Sequence, residues 1–230
     1  MREYQNCYIA HLDLLGFKEL INENPPCEKI AEIFDEVNTQ YDVCLNKEKL
    51  VPENSLHYKV MSDSICIYIT VDVPNALAAL IHTCAFFQVR MLRLNKPILV
   101  RGAIVQGELY CKDDVLFGKG LIDAYLIQEK YANFPRIIMP LNLIDNNKSS
   151  ESIVELFTIN LLFKEPDQVY CIDYVRMFYA LEHPKGNDKN LSEFIYTMLC
   201  KNFNKSVRDK YLYLQSRFAL FYNEEEKHNV

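Results

Sequence analysis

The chain has 230 residues, of which 50% are hydrophobic and 24% charged, so it can bury a core and is not a disordered polypeptide. Its formal net charge of −6 argues against a protein whose main task is to grip a nucleic-acid backbone. The eight cysteines are scattered without a C-x-x-C pair, and the N-terminus has no signal-peptide pattern, so we expect free thiols in a cytoplasmic protein. The longest helical apolar stretch, around 77–94, contains Arg90 and Arg93, so we expect no membrane span.

The chain begins with a predicted strand and two predicted helices. Residues 6–15 form a short apolar run that ends at Gly16 and favours a buried strand. Helical spacing follows directly after this glycine. A second helix is predicted from one apolar stripe, formed by Ile30, Ile33, Phe34, Val37 and Tyr41.

A hairpin and a long helix come next. Two β-rich runs, 57–61 and 65–71, are separated by only three residues, with Asp63 in the middle, which predicts a tight turn. The following segment predicts a long helix with one apolar stripe, formed by Leu77, Leu80, Cys84, Phe87, Met91 and Leu94.

Two strands and a helix are predicted in the segment before Pro140. A strand is predicted over 98–106, with a turn at Gly107, and a glycine-led helix is predicted up to about residue 131. A short strand follows at 136–139. Short hairpins between helices favour an α+β fold, a palm-like sandwich in which a mixed or antiparallel sheet has its helices on one face.

The composition changes after Pro140, where a polar segment over 142–152 is followed by short apolar segments. We therefore divide the chain into an α+β domain over 1–140 and an extension over 141–230 that packs on it. The extension is predicted to be mostly helical, with its clearest helices over 191–203 and 206–222.

Two aspartates stand where predicted elements end. Asp13 lies near the end of the first strand, and Asp63 lies at the tip of the hairpin. If these strands are neighbours, both carboxylates meet at one end of the sheet, where they can hold a pair of Mg²⁺ ions for phosphoryl transfer. The amides of residues 14–17, at the start of a helix, would then face phosphate oxygens.

Plainer structural roles remain open for the same residues. An aspartate at a strand end is often a helix cap, and Asp-Ser is an ordinary turn pair. His11, two residues before Asp13 and on the same face of the strand, is interpreted as a packed strand histidine. Spacing alone does not choose between structural and catalytic roles.

Four sequence blocks surround these aspartates in a defined order: AHLDLLGFKELI at 10–21, YKVMSDSICIYI at 58–69, VRGAIVQGELY at 100–110 and FGKGLIDAYLIQEKYANFPRI at 117–137. Together they resemble the β1-α1, β2-β3, β4-β5 and glycine-led helix blocks of class III nucleotidyl cyclases. The resemblance is strongest to the pyrimidine cyclases of Pycsar anti-phage systems, which make cyclic UMP or cyclic CMP. It covers roughly residues 6 to 140.

The resemblance implies a metal-dependent catalytic centre. By this likeness, Asp13 and Asp63 are catalytic and bind two Mg²⁺ or Mn²⁺ ions per site, with Leu14 as a further metal ligand. Arg101 falls where class III cyclases place an arginine on the substrate's phosphates, which implies a catalytic role for it as well.

The resemblance also implies a set of substrate-binding residues. Leu14, Gly16 and Phe17 correspond to the strand-to-helix step that binds the phosphates. Lys59 stands at the position that selects the base in adenylate and guanylate cyclases, and the neighbouring Tyr58 is expected to contact a small pyrimidine. An exposed lysine on an edge strand and a core tyrosine are the plain alternatives for this pair.

The sequence departs from the common class III pattern at three positions. An asparagine, and four residues later an arginine, usually follow the glycine-led step, but Ile122 and Leu126 stand there. The aspartate that commonly reads adenine falls at Val115. A conventional adenylate cyclase is therefore not expected.

We thus expect a pyrimidine nucleotide cyclase that converts UTP or CTP to the 3′,5′-cyclic monophosphate. The resemblance implies a homodimer with composite active sites and a second messenger in anti-phage defence that acts on a separate effector protein. The alternatives are another palm-type cyclase or dinucleotide synthase, and a degenerate cyclase fold that only binds nucleotide.

Overall fold

The computed structural model describes residues 3–23, 26–28, 30–31, 33, 35, 51–112 and 115–228, with side chains described up to residue 221. The strands are β1 (Gln5–Leu15), β2 (Leu56–Met61), β3 (Ser64–Thr70), β4 (Leu99–Lys112), β5 (Val115–Phe117), β6 (Ile137–Met139), β7 (Leu162–Lys164) and β8 (Tyr170–Ile172). The helices are α1 (Phe17–Asn22), α2 (Ala76–Arg93), α3 (Lys119–Tyr131), α4 (Leu141–Asp145), α5 (Glu151–Thr158), α6 (Tyr174–Glu182), α7 (Asn187–Lys201) and α8 (Lys205–His228).

The strands form one mixed sheet with β1 near its centre. Their order is β2-β3-β1-β4-β6-β8-β7, and β5 pairs with the end of β4. Among the described strands, β4 and β6 are parallel and every other pairing is antiparallel. β1 takes a central place because its residues 7–12 are buried on both faces, as a strand covered on both sides requires.

The main core lies on one face of this sheet. Alternate residues of β1, from Tyr8 to Leu14, pack there against α2 and the helices of the C-terminal part. Fourteen of the 18 residues of α2 are buried, so this helix is enclosed on nearly all sides.

The predicted α+β fold class with a mixed sheet is confirmed, and one helix departs from the expected arrangement on a single face. Helix α3 packs against the opposite face, where Ala124 contacts an apolar cluster of β1, β3 and β4. The members of that cluster are Cys7, Ile9, Cys66, Tyr68, Val105 and Leu109. These strands are apolar on both faces, so each face needs a covering layer.

Gly107 does not turn the chain as predicted. Strand β4 continues through Gly107, which lies opposite Cys7 of β1, and ends at Lys112. The glycine is needed for a different reason, because a Cβ atom at Gly107 would lie 2.6 Å from the Cα of Gly120 in α3. Two glycines therefore allow helix and strand to approach closely.

The C-terminal part extends the sheet as well as adding helices. Strands β7 and β8 form an antiparallel pair, and β8 joins β6. Residues from Leu143 to Phe221 belong to the same main core as β1 and α2. The boundary predicted at residue 140 is therefore not a break in the core.

Two further expectations fall partly outside the described residues. In the second predicted helix, the described residues among 27–35 are helical, while Phe34, Val37 and Tyr41 lie outside the described part. Seven cysteines are free thiols, and Cys44 is not among the described residues. In the part of the chain that is described, no helix combines the length and apolar character needed to cross a membrane.

Gly107→Ala is expected to lower the free energy of unfolding by about 1–3 kcal/mol, because the added methyl group would collide with the backbone of α3. Urea denaturation measures the change. Gly186→Asn is the control, since Gly186 has open space around its Cα and a φ of 75° that asparagine tolerates. A Gly107→Ala protein as stable as this control would contradict the close packing of α3 on β4.

Candidate active site

Three strands bring the sequence-predicted site residues to one end of the sheet. Asp13 on β1 lies opposite Ser64 of β3 on one side and opposite Arg101 of β4 on the other. The backbone N–H of Leu14 donates to the carbonyl oxygen of Asp63 at 2.9 Å. Asp13, Asp63 and Arg101 therefore occupy the same end of the sheet.

The hairpin that presents Asp63 is tight, as predicted, and its turn is one residue shorter than the three-residue separation expected from the sequence. Met61 pairs with Ser64, so Ser62 and Asp63 alone form the turn. Ser62 adopts a φ of 59°, the left-handed backbone that such two-residue hairpin turns require. The turn is thus tied to β1 by the Leu14–Asp63 bond at its base.

Arg101 bridges two carboxylates. Its Nε donates to Oδ2 of Asp13 at 2.7 Å, and its Nη2 donates to Oε1 of Glu129 at 2.6 Å. The side chains of Arg101 and Asp13 are only 21% and 17% exposed, so water screens this pair less than a surface ion pair. Burial acts to lower the pKa of Arg101, but the two carboxylates outweigh it, and the net direction is upward.

Glu129 is a site residue that the sequence analysis missed. It lies on α3, 28 residues after Arg101, and reaches the site because α3 covers the same face as Asp13. The expectation that all helices share one face placed α3 away from these residues. Had α3 been assigned to the second face, the carboxylate near its C-terminal end would have been a candidate partner for Arg101.

A buried hydrogen bond between β1 and α3 lies next to the site. His11, two residues before Asp13, donates from Nδ1 to Oε1 of Gln128 at 2.8 Å, and both side chains are buried. The ring of Tyr125 meets the His11 ring edge-on at 5.7 Å. His11 is therefore a packed strand histidine, as interpreted from the sequence, and it links β1 to α3.

The predicted base-reading pair is divided between the two faces of the sheet. Lys59 pairs with Cys66, whose side chain lies in the apolar cluster under α3, so Lys59 is on the same face as Asp13. Tyr58 packs against the main core on the opposite face. This position matches the core tyrosine that the sequence left open and speaks against the substrate contact predicted for Tyr58.

The strand-to-helix step is only partly available to phosphates. Gly16 is exposed and has a φ of 83°, whereas Phe17 is buried in the main core. The N–H of Leu14 already donates to Asp63, so this amide does not face a phosphate oxygen as predicted. Binding roles for Gly16, for Phe17 and for the carbonyl of Leu14 stay predictions.

The donor set fits a hard divalent cation. Asp13 and Asp63 supply carboxylate oxygens, which Mg²⁺ and Mn²⁺ prefer, and Mg²⁺ is commonly held by one or two carboxylates with substrate phosphates as further ligands. Among the described residues, no group of three or more His, Cys, Asp or Glu side chains is placed to hold a metal ion alone. A metal here would thus need further oxygen ligands besides the two carboxylates, from water or from a substrate.

The three residues that depart from the class III pattern all have exposed apolar side chains. Ile122 and Leu126 on α3 are 58% and 55% exposed, and Val115 on β5 is 55% exposed. At these three positions the chain therefore presents apolar surface where class III cyclases usually have an asparagine, an arginine and an aspartate.

Comparisons with solved structures identify the fold. The adenylyl cyclase CyaB from P. aeruginosa matches with a TM-score of 0.53 and 13% sequence identity, over 74% of this chain and 94% of that chain. The fold is that of the class III nucleotidyl cyclases. The monomeric guanylyl cyclase domain of the RhoGC fusion protein from the aquatic fungus Blastocladiella emersonii matches this cyclase fold equally, with a TM-score of 0.53 and 12% identity over 74% and 95% of the two chains. No protein-family model and no curated protein matches the sequence.

Gln128→Leu is expected to destabilise the protein by about 1–3 kcal/mol, because the buried Nδ1 of His11 loses its acceptor. Urea denaturation followed by far-UV circular dichroism measures this loss. Gln106→Leu, at an exposed position of β4, should change stability by no more than about 0.5 kcal/mol. Equal stability of the two variants would show that the His11–Gln128 bond does not hold α3 on the sheet.

Proposed function

We propose that the protein is a nucleotide cyclase that converts a pyrimidine nucleoside triphosphate, UTP or CTP, into its 3′,5′-cyclic monophosphate and pyrophosphate. The observation that supports this most directly is the meeting of Asp13, Asp63 and Arg101 at one sheet end within a cyclase fold. In the reaction the 3′-oxygen forms a bond to the α-phosphorus, the bond from that phosphorus to the bridging oxygen of the β-phosphate breaks, and the 3′-hydroxyl proton is lost.

Each charged residue has a distinct task in this proposal. Asp13 and Asp63 hold two Mg²⁺ or Mn²⁺ ions, assisted by the carbonyl of Leu14. Bound there, the ions supply charge neutralisation on the phosphates and lower the pKa of the attacking hydroxyl. Arg101 uses two of its five N–H donors for Asp13 and Glu129, so further donors remain for the phosphates and the departing pyrophosphate.

The choice of a pyrimidine rests on the residues that replace purine-reading groups. The motif resemblance points to pyrimidine cyclases, and Val115 supplies no hydrogen bond where an aspartate commonly reads adenine. Lys59 lies on the same face as Asp13 and remains the candidate to contact the smaller base. Uracil and cytosine differ by one donor and one acceptor, which a single side chain can distinguish.

A homodimer with composite sites is part of the proposal. Helix α3 and strand β5 expose a group of large apolar side chains in one region of the chain: Val115, Phe117, Ile122, Tyr125 and Leu126. Apolar surface of this kind is typical of a contact with another protein. One protomer would provide Asp13 and Asp63, and the other would provide Lys59.

By the same motif resemblance, we propose that the cyclic nucleotide is a second messenger in anti-phage defence. It would act on a separate effector protein that responds to the cyclic product.

Product analysis after incubation of the protein with each nucleoside triphosphate and Mg²⁺ or Mn²⁺ tests the reaction. We expect cyclic UMP or cyclic CMP. Asp63→Ala should lower the rate by about a hundredfold or more, because losing a metal ligand removes several kcal/mol of charge stabilisation. Asp72→Asn is a matched control, since Asp72 is an exposed carboxylate beyond the other end of β3.

The same measurement separates the alternatives. A product with the mass of a dinucleotide would indicate a dinucleotide synthase. Nucleotide binding in calorimetry without any product would indicate a binding module, an outcome that Ile122 and Leu126 favour because they replace the usual transition-state pair. A cyclic purine nucleotide as the main product would overturn the proposed base preference.

Mixing Asp63→Ala with Lys59→Ala protein tests the shared sites. Each variant alone should be weak, whereas the mixture should recover about a quarter of wild-type activity. Half of randomly mixed dimers are heterodimers, and each heterodimer has one intact site. A mixture no more active than its components, after exchange of subunits has been verified, would reject the composite arrangement.

A further inference from the structure

Arg101 contacts Asp13 through a single oxygen. The bond runs from Nε to Oδ2, and the neighbouring Nη2 donates to Glu129 instead of to the second oxygen of Asp13. Among the described residues, Oδ1 of Asp13 accepts no hydrogen bond. This arrangement differs from the two-point grip that arginine commonly forms on one carboxylate.

The shape of the guanidinium shows which contact Arg101 would otherwise make with Asp13. The N–H of Nε and one N–H of Nη2 lie parallel on one edge, and that edge matches the two oxygens of a single carboxylate. Without Glu129, both donors would be free to engage Asp13. A two-point pair would then occupy both Asp13 oxygens with a tethered cation.

We infer that Glu129 is a positioning residue that keeps one oxygen of Asp13 open for a divalent cation by holding Nη2 of Arg101 away from it. This inference rests on the proposed function, because it assigns Asp13 to a metal site. Glu129 acts through Arg101 and does not itself contact substrate or metal.

The position of Glu129 is set by a well-packed helix. Its neighbour Gln128 is hydrogen-bonded to buried His11, and α3 approaches β4 closely where Gly107 and Gly120 meet. The Glu129 carboxylate is therefore presented by a fixed element, although its own side chain is 43% exposed. When Asp13 binds a cation, Glu129 also leaves the half-buried Arg101 with an anionic partner.

Titration of the full-length protein with Mn²⁺ alone, read by electron paramagnetic resonance, tests the inference without any turnover. Glu129→Gln should weaken Mn²⁺ binding by roughly two- to a hundredfold, the range that coupling within one network of charged groups spans. In an Arg101→Met background, the same substitution should have little effect, because no arginine remains to close on Asp13. Arg101→Met alone should bind Mn²⁺ at least as tightly as wild type.

Two results would overturn the inference. One is unchanged or tighter Mn²⁺ binding by Glu129→Gln. The other is an equal loss with and without Arg101, which would mean that Glu129 acts only through its charge at a distance. Asp123→Asn is the control, since it removes a carboxylate from the same helix that pairs with Lys119 and does not contact Arg101.

Asp13→Asn separates this inference from the proposed function. If Asp13→Asn leaves Mn²⁺ binding intact, the metal site of the proposed function is wrong. If Asp13→Asn abolishes binding while Glu129→Gln has no effect, the proposed function stands and only the role of Glu129 falls. Thermal melting of each variant verifies that the protein is folded.

Discussion

The antiparallel pairing of β1 with β4 determines where the charged groups of the site lie. It runs over eleven consecutive residue pairs, from Gln5–Leu109 to Leu15–Leu99, and sets Asp13 opposite Arg101. A slip of one residue would turn Asp13 into the apolar main core, where a carboxylate without a charged partner is costly, so this cost disfavours the slipped register. The ion pair therefore forms where the strand pairing places its two partners.

The sequence predicted the elements that depend on local pattern. The strand over 6–15, the hairpin around Asp63 and the stripe of α2 follow from apolar spacing and turn residues, and they place both aspartates correctly. Contacts between segments that are distant in the sequence were harder to predict. Glu129 and the turn wrongly expected at Gly107 both depend on α3 crossing the second face of the sheet, and periodicity does not say which face a helix covers.

Helix α3 connects features that would otherwise be independent. One side of it contacts the sheet through Gly120, Ala124 and Gln128, while Glu129 reaches the site. Its outer side exposes Ile122 and Leu126. The helix therefore joins the packing of the second face of the sheet to the ion pair of Arg101.

The way the C-terminal part joins the sheet limits where the chain can be shortened. Strand β6 is three residues long and is paired on one side by β4 and on the other by β8, which comes more than 30 residues later. A chain shortened at Pro140 would leave β6 with unpaired backbone groups and strip the main core of its outer helices. Residues 1–140 are therefore not an independently folding unit: truncations that separate them from residues 141–230 should yield an aggregating product.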